Sequence, residues 1–116
     1  MEILKLLDSS TLINNYDIQD YKHWSDGFYY KLKVVFVDES VLFAREYFDT
    51  DERNYSFHWQ NKQNIMIIRW DNAPHHHDIS TFPHHKHSDN EISESNEISL
   101  EDAIEFIQKV IMERMK

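Results

Sequence analysis

With 116 residues, 41% of them hydrophobic, the chain has the size of one ordinary folded domain, and its single glycine excludes the glycine-rich phosphate loop and the dinucleotide fingerprint, which need several residues without a Cβ. A formal net charge of −9 argues against broad nucleic-acid binding through released counterions, while leaving room for a small, locally cationic RNA site. The absence of cysteine removes thiolate catalysis, disulfides and cysteine metal sites, so any metal here must use His and carboxylates.

The opening MEILKLLDSS lacks the basic start and small-residue cleavage site of a signal peptide, and no apolar run approaches the roughly eighteen residues of a membrane span. The expectation is a cytoplasmic protein with no membrane association, formed as a single α+β domain over residues 1–116. Within the first 27 residues, Ile3, Leu6, Leu7, Leu12 and Ile13 fit a helix or a bent strand about equally. The segment FYYKLKVVFV (28–37) alternates as a strand, with Phe28, Tyr30, Leu32, Val34 and Phe36 on one face and Lys31 and Lys33 on the other. VLFAREY (41–47) is a second β-rich run, whose faces the sequence leaves ambiguous, so that either Arg45 or Glu46 can lie beside His58. RNYSFHWQ turns Tyr55, Phe57 and Trp59 one way and Ser56 and His58 the other, and IMIIRWD separates Met66, Ile68 and Trp70 from Ile67, Arg69 and Asp71. Connections this short forbid parallel crossovers, which predicts a four-stranded antiparallel meander.

A stretch of about thirty residues without periodicity follows, long enough in a compact domain to suggest function. It holds six of the eight histidines, in RWDNAPHHHDISTFPHHKH, and then SDNEISESNEIS, which reads as a solvated linker. The tail is a helix: Ser99 is its N-cap with Asp102 three residues on, and Leu100, Ala103, Ile104, Ile107, Val110, Ile111 and Met115 form an apolar stripe that covers the sheet. Trp59 and Trp70 belong to that core rather than to a ligand site.

Two chemistries suit the histidine-rich stretch. His75-x-His77 and His85-x-His87 can bring imidazoles to one ion, with Asp78 and Asp89 as orienting acceptors, yet the pattern matches no established ligand spacing; no metal and no cofactor are assigned. Proton transfer is the better match. Cleaving RNA without metal needs a base for the 2′-hydroxyl, an acid for the leaving 5′-oxygen and a cation for the charged phosphorane. Candidate acid–base groups are His58, His76, His84, His85 and His87, with Asp71 and Arg69 completing the catalytic set. Arg45, Lys86 and Asn72 are candidate substrate-binding residues, and Tyr29, Tyr47 or Tyr55 could stack on bases. A structural Arg69–Asp71 ion pair and a mere turn at Asp71–Asn72 stand beside these readings.

At LFAREY, YSFHWQ, RWDNAPHH and TFPHHKH the sequence resembles the TumE family of toxins from prokaryotic toxin–antitoxin pairs. The matching positions are Arg45, Glu46, His58, Arg69, Asp71, Asn72, His75, His76, His84, His85 and His87, with His77 extra in this chain. The resemblance implies a toxin neutralised by a helix-turn-helix antitoxin, and in outline the four-stranded sheet with helices is similar to small ribonuclease toxins. The sequence therefore points to the toxin of a type II pair, acting as a metal-independent endoribonuclease on RNA. A binding protein whose histidine-rich loop, with or without metal, recognises a cellular target is the alternative, and homo-oligomerisation is left open.

Overall fold

The computed structural model describes residues 2–73, 80–88 and 91–116. His75, His76 and His77, with Asp78 and Asp89, lie outside the described residues, and so does the catalytic expectation for His76.

A short helix α1 (Glu2–Ser9) leads into β1 (Ile13–Trp24), followed by β2 (Gly27–Phe36), β3 (Val41–Phe48), β4 (Arg53–Gln60), β5 (Met66–Asp71), β6 (His85–Ser88), β7 (Glu91–Glu94) and the helix α2 (Leu100–Arg114). All seven strands join one antiparallel sheet in the order β1-β2-β3-β4-β5-β6-β7. The expected four-stranded sheet is therefore wrong in its strand count. Its four strands are β2 to β5; β1 adds an edge on one side, and β6 and β7 extend the other. The stretch read as a solvated linker contributes β7, and the N-terminal segment is a helix and then a strand rather than either alone.

Alternation decides which face is covered. Tyr30, Leu32, Val34, Phe36, Leu42, Ala44, Tyr55, Phe57, Trp59, Ile68 and Trp70 are buried in one cluster with Ile3 and Leu7 of α1 and Leu100, Ala103, Ile104, Ile107 and Ile111 of α2. Fully burying side chains of Leu or Ile size contributes about 1.5–3 kcal/mol each, so the α2 stripe is a large share of what holds helix to sheet. The Ser99 side chain accepts from Asp102 N–H and the Asp102 carboxylate accepts from Ser99 N–H, a full capping box at the start of α2. Met115, expected in the stripe, is 68% exposed because the helix ends at Arg114.

The lone glycine is required by contact, not by torsion. A Cβ on Gly27, at the β1–β2 turn, would collide with the Phe48 carbonyl and the Trp24 indole. Among the described residues no helix covers the opposite face of the sheet, which takes Lys31, Arg45, Ser56, His58 and Arg69 of the central strands.

Candidate functional site

Register places the uncovered face's residues in rows that cross the strands. In one row His58 of β4 pairs with Arg69 of β5, which pairs with His87 of β6, while Phe43 of β3 stands on the far side of His58. The neighbouring row runs Lys31, Arg45, Ser56, Asp71, His85 over five strands. Residues two apart on a strand share a face, so both rows present their side chains together. This answers what β3 left ambiguous: Arg45 shares the face of His58, one row away, and Glu46 points into the core.

Asp71 is the hub. Its Oδ1 lies 2.7 Å from His85 Nε2 and accepts from Ala73 N–H at 3.1 Å, while its Oδ2 lies 3.4 Å from both His87 Nε2 and Arg69 Nε. The His85 side chain is only 3% exposed, and its Nδ1 is 2.9 Å from the Pro83 carbonyl. The two ring nitrogens of His85 are thus flanked by the Pro83 carbonyl on one side and the Asp71 carboxylate on the other. Its ring meets that of His87 edge to face with centroids 4.9 Å apart. Burial and double engagement turn His85 toward Asp71 and the Pro83 carbonyl rather than toward solvent.

Nearer the surface the groups differ. The His87 side chain is 25% exposed and that of Arg69 41%, and no hydrogen bond engages the Arg69 Nε among the described residues. His58 Nε2 lies 3.1 Å from Gln60 Oε1, whose amide in turn donates to Asn64 Oδ1 at 3.0 Å. That chain puts the ring proton on Nε2 and leaves Nδ1 as the proton acceptor of the neutral imidazole. Burial holds His58 below the ordinary imidazole value; the Gln60 hydrogen bond works against this and the nearby Arg69 charge reinforces it.

Two adjoining hollows open on this face. One, of about 420 Å³, is lined by Lys31, Phe43, Arg45, His58, Gln60 and Arg69; the other, of about 380 Å³, by Tyr29, Tyr47, Asn54, Asp71 and Asn72. Arg45, Ser56 and Arg69 border both, so two guanidinium groups stand between them. A larger hollow of about 730 Å³ lies against the covered face beside the start of α2, but its polar floor is spent on itself: Arg53 Nε bonds Glu46 Oε2 at 2.6 Å and Tyr30 donates to Glu46 Oε1 at 2.8 Å. The smaller pair is the candidate site because it combines exposed cations with the His58 imidazole.

Of the residues expected from sequence, this face gathers His58, Arg69, Asp71, His85, His87 and Arg45. His84 is not among them. Adjacent strand residues point to opposite faces, and His84 Nδ1 sits 2.9 Å from the hydroxyl of Tyr55, a core-face residue. Lys86 pairs with Trp70 and alternates away from His85 and His87 in the same manner. Asn72 borders a hollow, but its side chain is consumed by backbone, accepting from Tyr55 N–H at 2.9 Å and donating to the Arg53 carbonyl. Tyr55, offered as a stacking platform, borders the second hollow with Tyr29 and Tyr47, but its side chain is buried and its ring lies under the Arg53 guanidinium. Lys31 and Ser56 were missed as site residues; only knowledge of register places them beside Arg45.

A protein-family model described as Toxin TumE matches residues 3–115. No curated protein and no solved structure matches.

Proposed function

The chain belongs to the TumE toxin family, and we propose that it arrests growth as a metal-independent endoribonuclease working on the open face of its sheet. A family of toxins implies an antitoxin as partner; the proposal adds that this partner is a helix-turn-helix protein and that the substrate is RNA. No helix among the described residues is long and apolar enough to cross a membrane.

The observation that carries the reading is the row His58–Arg69–His87. Strands about 4.8 Å apart put the two imidazoles on either side of the guanidinium, at Cα positions about 10 Å from one another. A phosphodiester bound over Arg69 then has an imidazole on each flank, which in-line displacement requires. His58 Nδ1 takes the proton from the ribose 2′-hydroxyl, and the 2′-oxygen bonds to phosphorus. His87 gives a proton to the departing 5′-oxygen, leaving a 2′,3′-cyclic phosphate and a free 5′-hydroxyl. Arg69 and Arg45 bind the phosphorane's equatorial oxygens, with the fork of donors that suits this charge. Asp71 holds His87 in place, and His85 holds Asp71. The two hollows take the nucleosides on either side of the scissile bond, Tyr29 and Tyr47 supplying a stacking wall to one of them.

Two experiments test this. Expression of the gene alone should arrest growth, and co-expression of its antitoxin should restore it. Purified protein should cleave RNA in EDTA and yield cyclic phosphate termini, whereas a DNA oligonucleotide of the same sequence, lacking the 2′-hydroxyl, should survive. Intact RNA under these conditions removes the nuclease reading while leaving the family assignment as it stands.

A further inference from the structure

Asp71, His85 and His87 each direct one ligand-type atom into a shared space, all within 4.8 Å of one another. We infer that these three residues form a binding site for a divalent transition-metal ion such as zinc. The inference is independent of the cleavage reaction, since it needs only the geometry of the triad.

Ligand identity comes first. Two imidazoles and one carboxylate suit zinc and its first-row neighbours, whereas magnesium and calcium take oxygen ligands. Orientation comes next. A metal-binding imidazole ordinarily donates its other ring N–H to a backbone carbonyl or carboxylate, which fixes the tautomer and aims the coordinating lone pair. His85 has this arrangement: Nδ1 is 2.9 Å from the Pro83 carbonyl, and Nε2 faces Asp71. Between that nitrogen and the carboxylate oxygen something positive must sit. A proton does so at the 2.7 Å separation observed. A zinc ion would replace that proton and release it to solvent.

Spacing requires the triad to draw in, because its ligand atoms, one per residue, spread over up to 4.8 Å. Ligands held at about 2.0–2.1 Å in a tetrahedral shell stand about 3.3 Å apart. His87 Nε2 and Asp71 Oδ2 are already 3.4 Å apart, and the shorter His85–Asp71 contact would open by about half an ångström. The two inner ligands are buried, while the partly exposed His87 gives the ion an entrance. Arg69 Nε, 3.4 Å from Asp71 Oδ2, repels the ion and so lowers affinity without removing a ligand.

The test uses untagged full-length protein stripped with EDTA and freed of chelator. Titrated cobalt(II) should give the intense visible absorption of a low-coordinate site, saturating at one ion per chain, and zinc should displace it and raise the melting temperature with the logarithm of its concentration above Kd. His87→Ala should weaken binding at least tenfold; should that variant fail to fold, His87→Gln carries the same comparison. Replacing His75, His76 and His77 together by Ala should leave affinity unchanged. Absence of saturable binding, wild-type affinity in the His87 variant, or loss of binding in the triple variant would each overturn the site.

Discussion

Asp71→Ala tests the hub on which both proposals depend, and its cost can be worked from the contacts it removes. The carboxylate and its His85 partner have side chains only 8% and 3% exposed and approach to 2.7 Å, so this is a buried pair, not a surface one. Removing one member of such a pair costs about 3–5 kcal/mol, because the survivor is left buried without its counter-charge. The Ala73 N–H loses its acceptor as well, worth about 1 kcal/mol. A net destabilisation of about 3–5 kcal/mol is a large fraction of the 5–15 kcal/mol typical of a folded domain. The assay is urea unfolding at pH 7 in EDTA, followed by both fluorescence and circular dichroism, with the slope against denaturant unchanged. In a His85→Phe background the same substitution should cost less than half as much, because the charge it strands is gone. A loss of less than about 1 kcal/mol in the parent, the worth of an exposed ion pair, would refute the account of Asp71 as a buried counter-charge.

The remaining expectations concern activity. His58→Ala should lower the single-turnover rate of RNA cleavage by about 10²–10⁴ with little change in RNA affinity, and an unchanged rate would remove it as the base. Because the base must be neutral and His58 titrates below the ordinary imidazole value, kcat/KM should fall on the acid side with a midpoint under about 6.5. Arg69→Gln removes a charge that depresses His58, so the residual activity's acid limb should move upward; a limb that stays put would show that Arg69 does not act on His58. Arg45→Ala should raise KM more than it lowers kcat and flatten the salt dependence of RNA binding, checked by titrating fluorescent RNA across ionic strengths. Zinc should inhibit cleavage reversibly, since the ion would hold the His87 imidazole proposed as the acid; full activity at saturating zinc would place the ion elsewhere or His87 outside the reaction.

The central sheet was legible because its strands are covered on one side only. Phe28, Tyr30, Leu32, Val34 and Phe36 against Lys31 and Lys33 is the signal that such a strand writes into its sequence, and Ser99 with Asp102 marks the start of α2 equally plainly. The outer strands write no such signal. In β1, most residues of INNYDIQDYKHW are exposed and two register shifts break the alternation, so no period of two survives. HKHS and EISE are short and polar, and they are strands because β5 offers a ladder edge and Asp71 a partner for His85, neither of which is local. The candidate site was half legible for the same reason. His58 and Arg69 sit in readable strands, but choosing between His84 and His85 required knowing that β6 exists and which of its faces turns toward Asp71.

The rows across the sheet also explain how a chain of net charge −9 can offer a site to an anion. One row reads Asp20, Lys31, Arg45, Ser56, Asp71, His85, Glu94 from edge to edge, and the next reads Asp17, Lys33, Phe43, His58, Arg69, His87, Ile92. In both, the bases occupy the middle strands and acids stand on the outer strand β1, with a further acid on β7 in the first row. Acidic edge strands resist pairing with another chain, which keeps a long antiparallel sheet from adding copies of itself. They also confine attraction for phosphate to the centre, where Asp17 and Asp20 offset Lys33 and Lys31 from the edge and Asp71 stands beside Arg69. Most other acids lie on α2, the turns or the sheet edges, away from these rows. Net charge therefore sets solubility and discourages indiscriminate adhesion to nucleic acid, while strand register creates one small cationic field over His58, Arg69 and His87. Moving a positive charge to the edge, as in Asp17→Lys with Asp20→Lys, would raise the net charge yet broaden that field, so selectivity for the central row should fall even as overall affinity for RNA rises.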